Sequence, residues 1–428
     1  MEDKAICKTV PKLRFPEFRE AGEWEEKDLE DILIKNSTKN KDAKYSLVQS
    51  VSNKYGFINQ DEYFENRRVA SKDTSNYYII KSGYFAYNPS RIDVGSLAYK
   101  HDSKTSIISP LYVSFKAKND LVTDKFLLNW FSSESFTKQM IFEGGVRNTL
   151  NFENLIQIKI KLPSLIEQQK IASCLSSLDD LITAQTQKLE TLKTHKKGLM
   201  QQLFPAEGET VPKLRFPEFQ EAGEWEEKRL IDVVEKKTKW SFIGGPFGSN
   251  LKASDYVVSG IRVIQLQNIG DGEFIDNYKI FTSEQKADEL LSCNIYPGDI
   301  ILSKMGDPVG RACLIPNIHS RYVMCSDGIR LVVDEKRFNK YLIHILINSA
   351  QFRKLIEKTA TGSTRKRIGL DDLKNLPLVV PMNLNEQQKI ASCLSSLDDL
   401  ITAQSQKIEM LKTHKKGLMQ QLFPNNKD

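Results

Sequence analysis

The sequence has few of the residues that build disulfide frameworks, metal centres and membrane spans. Its 428 residues include six cysteines and five histidines. No Cys-x-x-Cys pair occurs, which argues against both a disulfide framework and a structural zinc site. No apolar run approaches the roughly 18 residues of a membrane helix, and the start of the chain lacks the apolar stretch of a secretory signal. We therefore expect a cytoplasmic protein that does not associate with a membrane.

Motifs of catalysis are also missing. The chain contains no G-x-x-x-x-G-K-[ST], no G-x-G-x-x-G after a strand, no H-E-x-x-H, and no Asn-Pro-Pro-aromatic or Asp-Pro-Pro-aromatic tetrapeptide of an amino-methyltransferase. The glycine-rich segment 244–249 lacks the lysine of a phosphate loop. We predict that this chain holds no catalytic residue, no metal and no cofactor of its own.

The composition is that of a folded protein of several domains. Hydrophobic residues make up 40% and charged residues 27% of the chain, which excludes disorder throughout. The length favours two to four domains, at roughly 100 to 200 residues per domain. The formal net charge is only +6.

Two segments of the chain occur twice. Residues 10–29 return as residues 211–230 with 18 of 20 positions identical, and residues 167–205 return as residues 386–424 with 36 of 39 identical. The stretches between the repeats differ in length and mostly in sequence. An internal repeat of this kind determines how the domains of the whole chain are assigned. Each half reads as an arm, a variable domain and a long helix.

These repeats predict six segments. They are an N-terminal arm (1–29), a first variable domain (30–166), a central helix (167–205), a second arm (206–230), a second variable domain (231–385), and a C-terminal helix with its tail (386–428). The excess of basic over acidic residues lies in the two variable domains. Such a distribution suits a polyanionic partner such as nucleic acid, although a modest excess also serves solubility alone.

The repeated helices carry a coiled-coil pattern. Their apolar residues recur every 3.5 residues on average, which is the spacing of a heptad seam. Gln185 and Gln404 interrupt the seam at equivalent steps, which fits a pair of helices that must meet in one register. The predicted seam consists of Ile171, Leu175, Leu178, Ile182, Leu189, Leu192, Leu199 and Leu203, and of Ile390, Leu394, Leu397, Ile401, Ile408, Leu411, Leu418 and Leu422.

We predict that the two helices pack against each other and run antiparallel. Two nearly identical helices related by a two-fold axis present the same surface to each other. The variable domains would then lie at opposite ends of a rod. The alternative is that each helix packs only on its own domain.

The variable domains are predicted to be α+β. Segments 74–91 and 109–117 in the first domain, and 261–269 and 296–306 in the second, alternate β-branched and aromatic residues between turn residues. The predicted fold class is therefore α+β: two mixed α/β domains separated by two long helices in an antiparallel coiled coil, with a pseudo-two-fold internal repeat.

Polar and basic residues on turns and strand ends are the candidates for contact with a polyanionic partner such as nucleic acid. Arg147 aligns with Arg365, each following a glycine-led turn where an anion could be gripped, although a solvated loop explains these turns equally well from composition. We expect the Arg365 turn and Arg147 to contact mainly phosphates. The residues expected to read bases are Tyr87, Asn88, Arg91, Ser249, Asn250, Lys252, Gln265, Gln267 and Asn268. The full set is Tyr87, Asn88, Arg91, Arg147, Asn148, Ser249, Asn250, Lys252, Gln265, Gln267, Asn268, Lys304, Arg365, Lys366 and Arg367.

Trp24 and Trp225 occupy equivalent positions in the two acidic arms. Large amphipathic side chains of this kind dominate interfaces between proteins, so both are candidates for partner docking. Packing in a core is the equally supported alternative.

Several segments resemble the DNA-specificity subunit of type I restriction-modification systems. They include GPFGSNLKASDY at 245–256, YPGDIILSKMGDPVGRACLIP at 296–316, GSTRKRIGLDDL at 362–373, and the two EQQKIASCLSSLDDLI segments. The resemblance covers almost the whole chain, except that the first variable domain lacks a GPFGS-type segment.

The resemblance implies two target-recognition domains, each reading one half of a split sequence in double-stranded DNA. It further implies that the helices set the spacer and dock two methyltransferase subunits, and that two restriction subunits join to cleave DNA. Methyl transfer from S-adenosylmethionine and cleavage driven by ATP, with magnesium, would then belong to the partners.

Two other functions stay open at this point. One is a non-enzymatic coiled-coil scaffold whose basic domains are incidental, and the other is a self-contained DNA modification enzyme. Sequence-specific, salt-sensitive binding to a duplex would separate the first from a specificity subunit. Methyl transfer by the purified chain alone would reveal the second.

Overall fold

The fold is described from a computed structural model of the chain. It describes residues 10–53, 55–60, 71, 73–140, 149–363 and 365–424. The described chain divides into two compact units. The first combines residues 1–187 with 405–428, and the second spans residues 188–404. Each unit therefore contains one variable domain, the start of one long helix and the end of the other.

The helices number ten among the described residues, with two very long ones and eight short ones. Their bounds are α1 Leu29–Ile32, α2 Asp124–Phe131, α3 Glu134–Thr137, α4 Phe152–Leu155, α5 Leu165–Leu203, α6 Glu284–Glu289, α7 Lys340–Ile347, α8 Ala350–Thr359, α9 Leu370–Lys374 and α10 Leu384–Leu422.

The strands of the first unit are β1 Glu25–Asp28, β2 Leu33–Lys35, β3 Val48–Ser52, β4 Gly56–Asn59, β5 Tyr78–Ile80, β6 Tyr84–Tyr87, β7 Leu97–Tyr99, β8 Ser106–Ile108, β9 Val113–Ala117 and β10 Lys159–Leu162. They form a four-stranded sheet in the order β2-β9-β6-β7, a second in the order β4-β3-β8-β5, and the pair β1-β10. Every neighbouring pair is antiparallel except β3 with β8.

The strands of the second unit are β11 Glu226–Arg229, β12 Phe242–Gly244, β13 Tyr256–Val257, β14 Ile261–Ile264, β15 Ile280–Thr282, β16 Asn294–Ile295, β17 Ile300–Ser303, β18 Ala312–Leu314, β19 Tyr322–Met324, β20 Gly328–Leu331 and β21 Pro377–Val380. They form sheets in the orders β12-β20-β17-β18 and β13-β15-β14-β19-β16, and the pair β11-β21. Here too only one pair, β14 with β19, is parallel.

The two variable domains thus share one topology, apart from the additional strand β13 in the second, although their sequences mostly differ. In the all-antiparallel sheets, β2, β9, β6 and β7 correspond in order to β12, β20, β17 and β18. In the mixed sheets, the parallel pair occupies the same place in both domains. Both domains mix helices with short strands, so the predicted α+β class is confirmed.

The long helices begin and end where their sequences provide caps. Ser164 Oγ accepts a hydrogen bond from the Glu167 N–H at 3.4 Å, and Asn383 Oδ1 accepts one from the Glu386 N–H at 3.4 Å. Side-chain oxygens at this position satisfy N–H groups that have no partner within the helix. Pro205 and Pro424 follow the last helical turns, where proline cannot continue a helix. Each helix spans 39 residues.

Contacts within each unit show that α5 and α10 are antiparallel. In the first unit, Lys415 Nζ near the end of α10 lies 2.6 Å from Asp179 Oδ1 in the first half of α5. In the second unit, Lys196 Nζ near the end of α5 lies 2.5 Å from Asp398 Oδ1 in the first half of α10. The late part of each helix therefore meets the early part of the other. All sixteen predicted seam residues are buried or half-buried.

The arm of each unit is anchored on the start of a long helix by a buried ion pair. Arg14 donates to both carboxylate oxygens of Glu167 at 2.8 and 2.7 Å, and Arg215 donates to those of Glu386 at 2.7 and 2.8 Å. The main chain of each arm also reaches the end of the other helix, since the Leu13 N–H donates to Gln421 O and the Leu214 N–H to Gln202 O. The arms are therefore structural parts of their units.

Candidate DNA interface

In the first variable domain, the turn after β6 exposes one of the three candidate side chains. Tyr87 is fully buried, and its hydroxyl donates to Leu150 O at 3.0 Å. Burial raises the pKa of Tyr87 above its usual value. Asn88 is half-buried, and its Oδ1 accepts from the Ser90 N–H at 3.1 Å. Arg91 is exposed. The structure gives Tyr87 a structural role and leaves Arg91 within reach of a ligand.

Arg147 and Asn148 lie outside the described residues. Shortly after them, the Leu150 N–H donates to Pro89 O at 3.1 Å, within the turn that carries Asn88 and Arg91. The chain just after Arg147 and Asn148 is thus hydrogen-bonded to the turn that carries Asn88 and Arg91.

In the second variable domain, the loop after β12 carries three exposed candidates, Ser249, Asn250 and Lys252. The loop lies against the turn between β19 and β20 so closely that a Cβ atom on Gly245 would be 1.7 Å from Cys325 O. Glycine is therefore required there. At the tip of the loop, Phe247 is 82% exposed.

The short turn after β14 divides its candidates into one buried and two accessible residues. Asn268 is fully buried, with its amide donating to Ile275 O at 2.9 Å and Tyr278 O at 3.0 Å. Its Oδ1 accepts from the Gln265 N–H at 2.9 Å. Asn268 therefore holds the turn in place. Gln265 is half-buried and Gln267 is exposed, so their amides are the groups that a ligand can meet.

The remaining candidates surround the turn between β19 and β20. Arg365, Lys366 and Arg367 are exposed, and Arg367 NH2 donates to Asp327 Oδ1 at 2.7 Å. Lys304 is half-buried, and its N–H donates to Asp327 O at 2.6 Å. Lys366 Nζ lies 2.5 Å from Glu357 Oε2. Residues far apart in sequence are thereby held around one aspartate.

A pocket of about 240 Å³ joins the loop, the turn after β14 and the turn at Asp327. Gln265 Nε2 donates to Tyr256 OH at 3.2 Å within its lining. Burial raises the pKa of the Cys325 thiol, which also lines the pocket. Sequence reasoning missed Phe247, Tyr256 and Asp327. The first stands between glycines and the last precedes one, which is a signal for exposed turns.

Trp24 and Trp225 are buried in the cores of their units, at 3% and 2% exposure. Trp225 Nε1 donates to Glu386 Oε1 at 3.2 Å, whereas Trp24 Nε1 has no hydrogen-bond partner among the described residues. The structure therefore favours the core-packing alternative for both tryptophans, because neither presents its ring to a partner.

One face of each long helix is exposed and identical in the two copies. Leu181 on α5 is 40% exposed, and its counterpart Leu400 on α10 is 54% exposed. The same faces expose Ser177, Asp180 and Ala184 on α5, and Ser396, Asp399 and Ala403 on α10. These positions are three or four residues apart, so they lie side by side on each helix.

The described residues contain no group of three or more His, Cys, Asp or Glu placed to hold a metal ion. No helix among them is both long enough and apolar enough to cross a membrane.

Comparison with known proteins gives one family. The model of the type I restriction modification DNA specificity domain matches residues 21–194 and again residues 222–413. Two relatives come from Methanocaldococcus jannaschii. The type I restriction enzyme MjaVIII specificity subunit is 27% identical over 75% of this chain and 74% of its own length. The putative type I restriction enzyme MjaX specificity subunit is 25% identical over 94% of this chain and 93% of its own length.

Solved structures show the same fold. A chain from a study of complex assembly and conformational transition in the type I restriction-modification system matches with a TM-score of 0.56 and 16% identity, over 92% of this chain and 96% of that one. The type I restriction-modification S subunit of M. genitalium matches with a TM-score of 0.55 and 14% identity, over 97% of this chain and 99% of that one.

Proposed function

The chain belongs to the type I restriction-modification DNA specificity family, and from this premise we propose that each variable domain reads one half of a bipartite target in double-stranded DNA. The chain is the specificity subunit, which is non-catalytic in this family. The observation that carries the proposal is the pair of variable domains with one topology and different sequences. One scaffold that presents two different surfaces is suited to reading two different half-sites.

The candidate contacts divide by chemistry. The exposed basic side chains of Arg365 and Lys366 suit phosphates, because a phosphate contact requires positive charge rather than one arrangement of donors. Arg91 and Lys252 are also exposed and remain candidates for reading bases. Amide groups such as those of Gln265 and Gln267 suit base edges, because they offer a donor and an acceptor together. Arg147 and Asn148 remain candidates on the strength of their alignment with the Arg365 turn.

The long helices set the spacer and dock partners in this proposal. A continuous helix of 39 residues is a rigid connection with a fixed length. Two methyltransferase subunits would dock on the repeated parts of the chain, and two restriction subunits would join them. S-adenosylmethionine, ATP and magnesium would bind to those partners. The identical exposed faces around Leu181 and Leu400 support docking of two copies of one partner.

Exchange of the second variable domain tests the proposal. Residues 231–385 are replaced by the matching segment of a relative with a different target, and the target is determined by sequencing methylated sites in cells that also express the methyltransferase. We expect one half of the target to change and the other half to persist. A change in both halves, or in neither, would contradict the proposal that each variable domain reads one half of the target.

A further inference from the structure

The backbone that carries Arg367 makes several hydrogen bonds to neighbouring segments. Its N–H donates to Thr361 O at 2.8 Å, and its carbonyl accepts from the Thr361 N–H at 2.9 Å. Its backbone also forms a bridge with Met305. The adjoining Ile368 N–H donates to Lys304 O at 3.0 Å. The backbone that carries this arginine is therefore fixed on both sides.

The turn that precedes Arg367 depends on glycine. Gly362 has a φ of +109°, and a Cβ atom there would lie 2.7 Å from Arg365 O. A side chain at this position would be strained in both conformation and space. The local sequence thus builds a tight turn that places Arg367 next to the turn between β19 and β20.

Asp327 orients the guanidinium group from that turn. The distance from Arg367 NH2 to Asp327 Oδ1 is 2.7 Å, and the carboxylate side chain is only 15% exposed, whereas the arginine side chain is 52% exposed. Hydrogen bonds between charged groups of this kind are strong and directional. The aspartate therefore limits the motion of a guanidinium group that solvent can still reach.

We propose that Arg367, oriented by Asp327, reads a guanine in the half-site of the second variable domain. The inference rests on the proposed function and deepens it. A guanidinium group has five N–H donors, and the bond to Asp327 uses only one of them. The others can form the paired hydrogen bonds to O6 and N7 of guanine in the major groove. Arg367 thus departs from the phosphate role expected from sequence.

The surroundings of Asp327 also suit a base edge. Asp327 lines the same pocket as Gln265 and Tyr256, so an amide and a phenol share a pocket with the aspartate that binds the guanidinium group. A phosphate needs only positive charge, which the exposed Arg365 supplies nearby. Fixing an arginine in advance lowers the cost of ordering it when DNA binds, and a fixed fork distinguishes guanine from other bases better than a mobile one.

Selection of bound duplexes from a random pool by the full-length chain tests the inference. The variants are Arg367→Ala, Arg367→Lys and Asp327→Ala, with Arg365→Ala as the matched control. We expect wild type to select a half-site that contains guanine. Arg367→Ala should lower the preference for that guanine by roughly 5- to 150-fold. Arg367→Lys should not restore it, because an ammonium group lacks the planar fork.

Asp327 acts as a positioning residue, so its variant has a distinct signature. Asp327→Ala should relax the preference at the same base pair only, and it should add little in the Arg367→Ala background. The control Arg365→Ala should weaken binding to all sequences alike and reduce the slope of affinity against salt by about one phosphate contact. Thermal unfolding of each variant verifies that the fold is retained.

Three outcomes would overturn the inference. One is a wild-type half-site without guanine. The second is a set of Arg367 variants that lose affinity uniformly, as a phosphate contact would. The third is a lowered melting temperature with unchanged base preference, which would make the ion pair purely structural. If wild type selects no sequence at all, the proposed function itself fails, and the inference with it.

Discussion

Replacing Glu386 with alanine should strongly destabilise the second unit. Glu386 is 1% exposed, and its carboxylate accepts from Arg215 at 2.7 and 2.8 Å and from Trp225 Nε1 at 3.2 Å. The carboxylate raises the pKa of Arg215. Alanine at position 386 would leave a buried guanidinium group without its counter-charge and an indole N–H without its acceptor.

The expected magnitude follows from this burial. Removing one partner of a buried ion pair costs about 3–5 kcal/mol. For a unit of this size, that loss corresponds to a fall in melting temperature of roughly 6–20 °C. Glu167→Ala should cost less in the first unit, by about 1 kcal/mol or more, because Trp24 Nε1 has no partner among the described residues to lose.

Hydrogen exchange gives the two units separate readouts. Exchange at the amides of strand β11 reports opening of the second arm, and exchange at β1 reports opening of the first. Lys389→Ala is the matched control, because its ion pair with Glu218 joins the same arm and helix but is about half exposed on both sides. That variant should cost at most about 1 kcal/mol. Equal effects of Glu386→Ala and Lys389→Ala would refute the reasoning.

Two further predictions concern the pH response and the assembly. Burial lowers the pKa of His344 from 6.5 to about 4, so between these values the unfolded chain binds a proton that the folded chain does not, and the second unit should lose stability as pH falls from about 6.5 towards 4. His344→Gln should flatten this dependence in urea unfolding measured at several pH values; an unchanged profile would contradict it. The double variant Leu181→Asp, Leu400→Asp should reduce copurification with methyltransferase subunits. The control Leu111→Asp, at a leucine of the first variable domain that is 80% exposed, should not. Equal yields of copurified methyltransferase from the double variant and the control would exclude the proposed docking face.

The long helices could be predicted from sequence because their signal is local and repeated. A 3.5-residue period over many turns leaves little choice of structure or of buried face, and all sixteen predicted seam residues lie on the less exposed side. The helices begin at Leu165 and Leu384, two residues before each repeated segment. The caps at Ser164 and Asn383 set these starts, and the two residues differ, so identity between the copies could not locate them.

The candidate site was only partly predictable, because burial depends on contacts distant in sequence. Tyr87 and Asn268 stand at strand ends among polar residues, where sequence offers no means of separating an exposed amide or phenol from one that supports the backbone. The pairing of Asp327 with Arg367 joins residues 40 positions apart. Nothing in the local pattern around either residue indicates the other.

The near-identity of the two helices has two separate physical sources. Buried equivalents such as Glu167 and Glu386, or Leu175 and Leu394, are explained by packing, because the chain builds the same arm and helix junction twice. Exposed equivalents such as Asp180 and Asp399, or Leu181 and Leu400, make no such contribution. Surface substitutions usually change stability by less than about 0.5 kcal/mol, so folding alone places little constraint on these positions. In the proposed function, one partner bound twice would supply a constraint on these positions that packing does not.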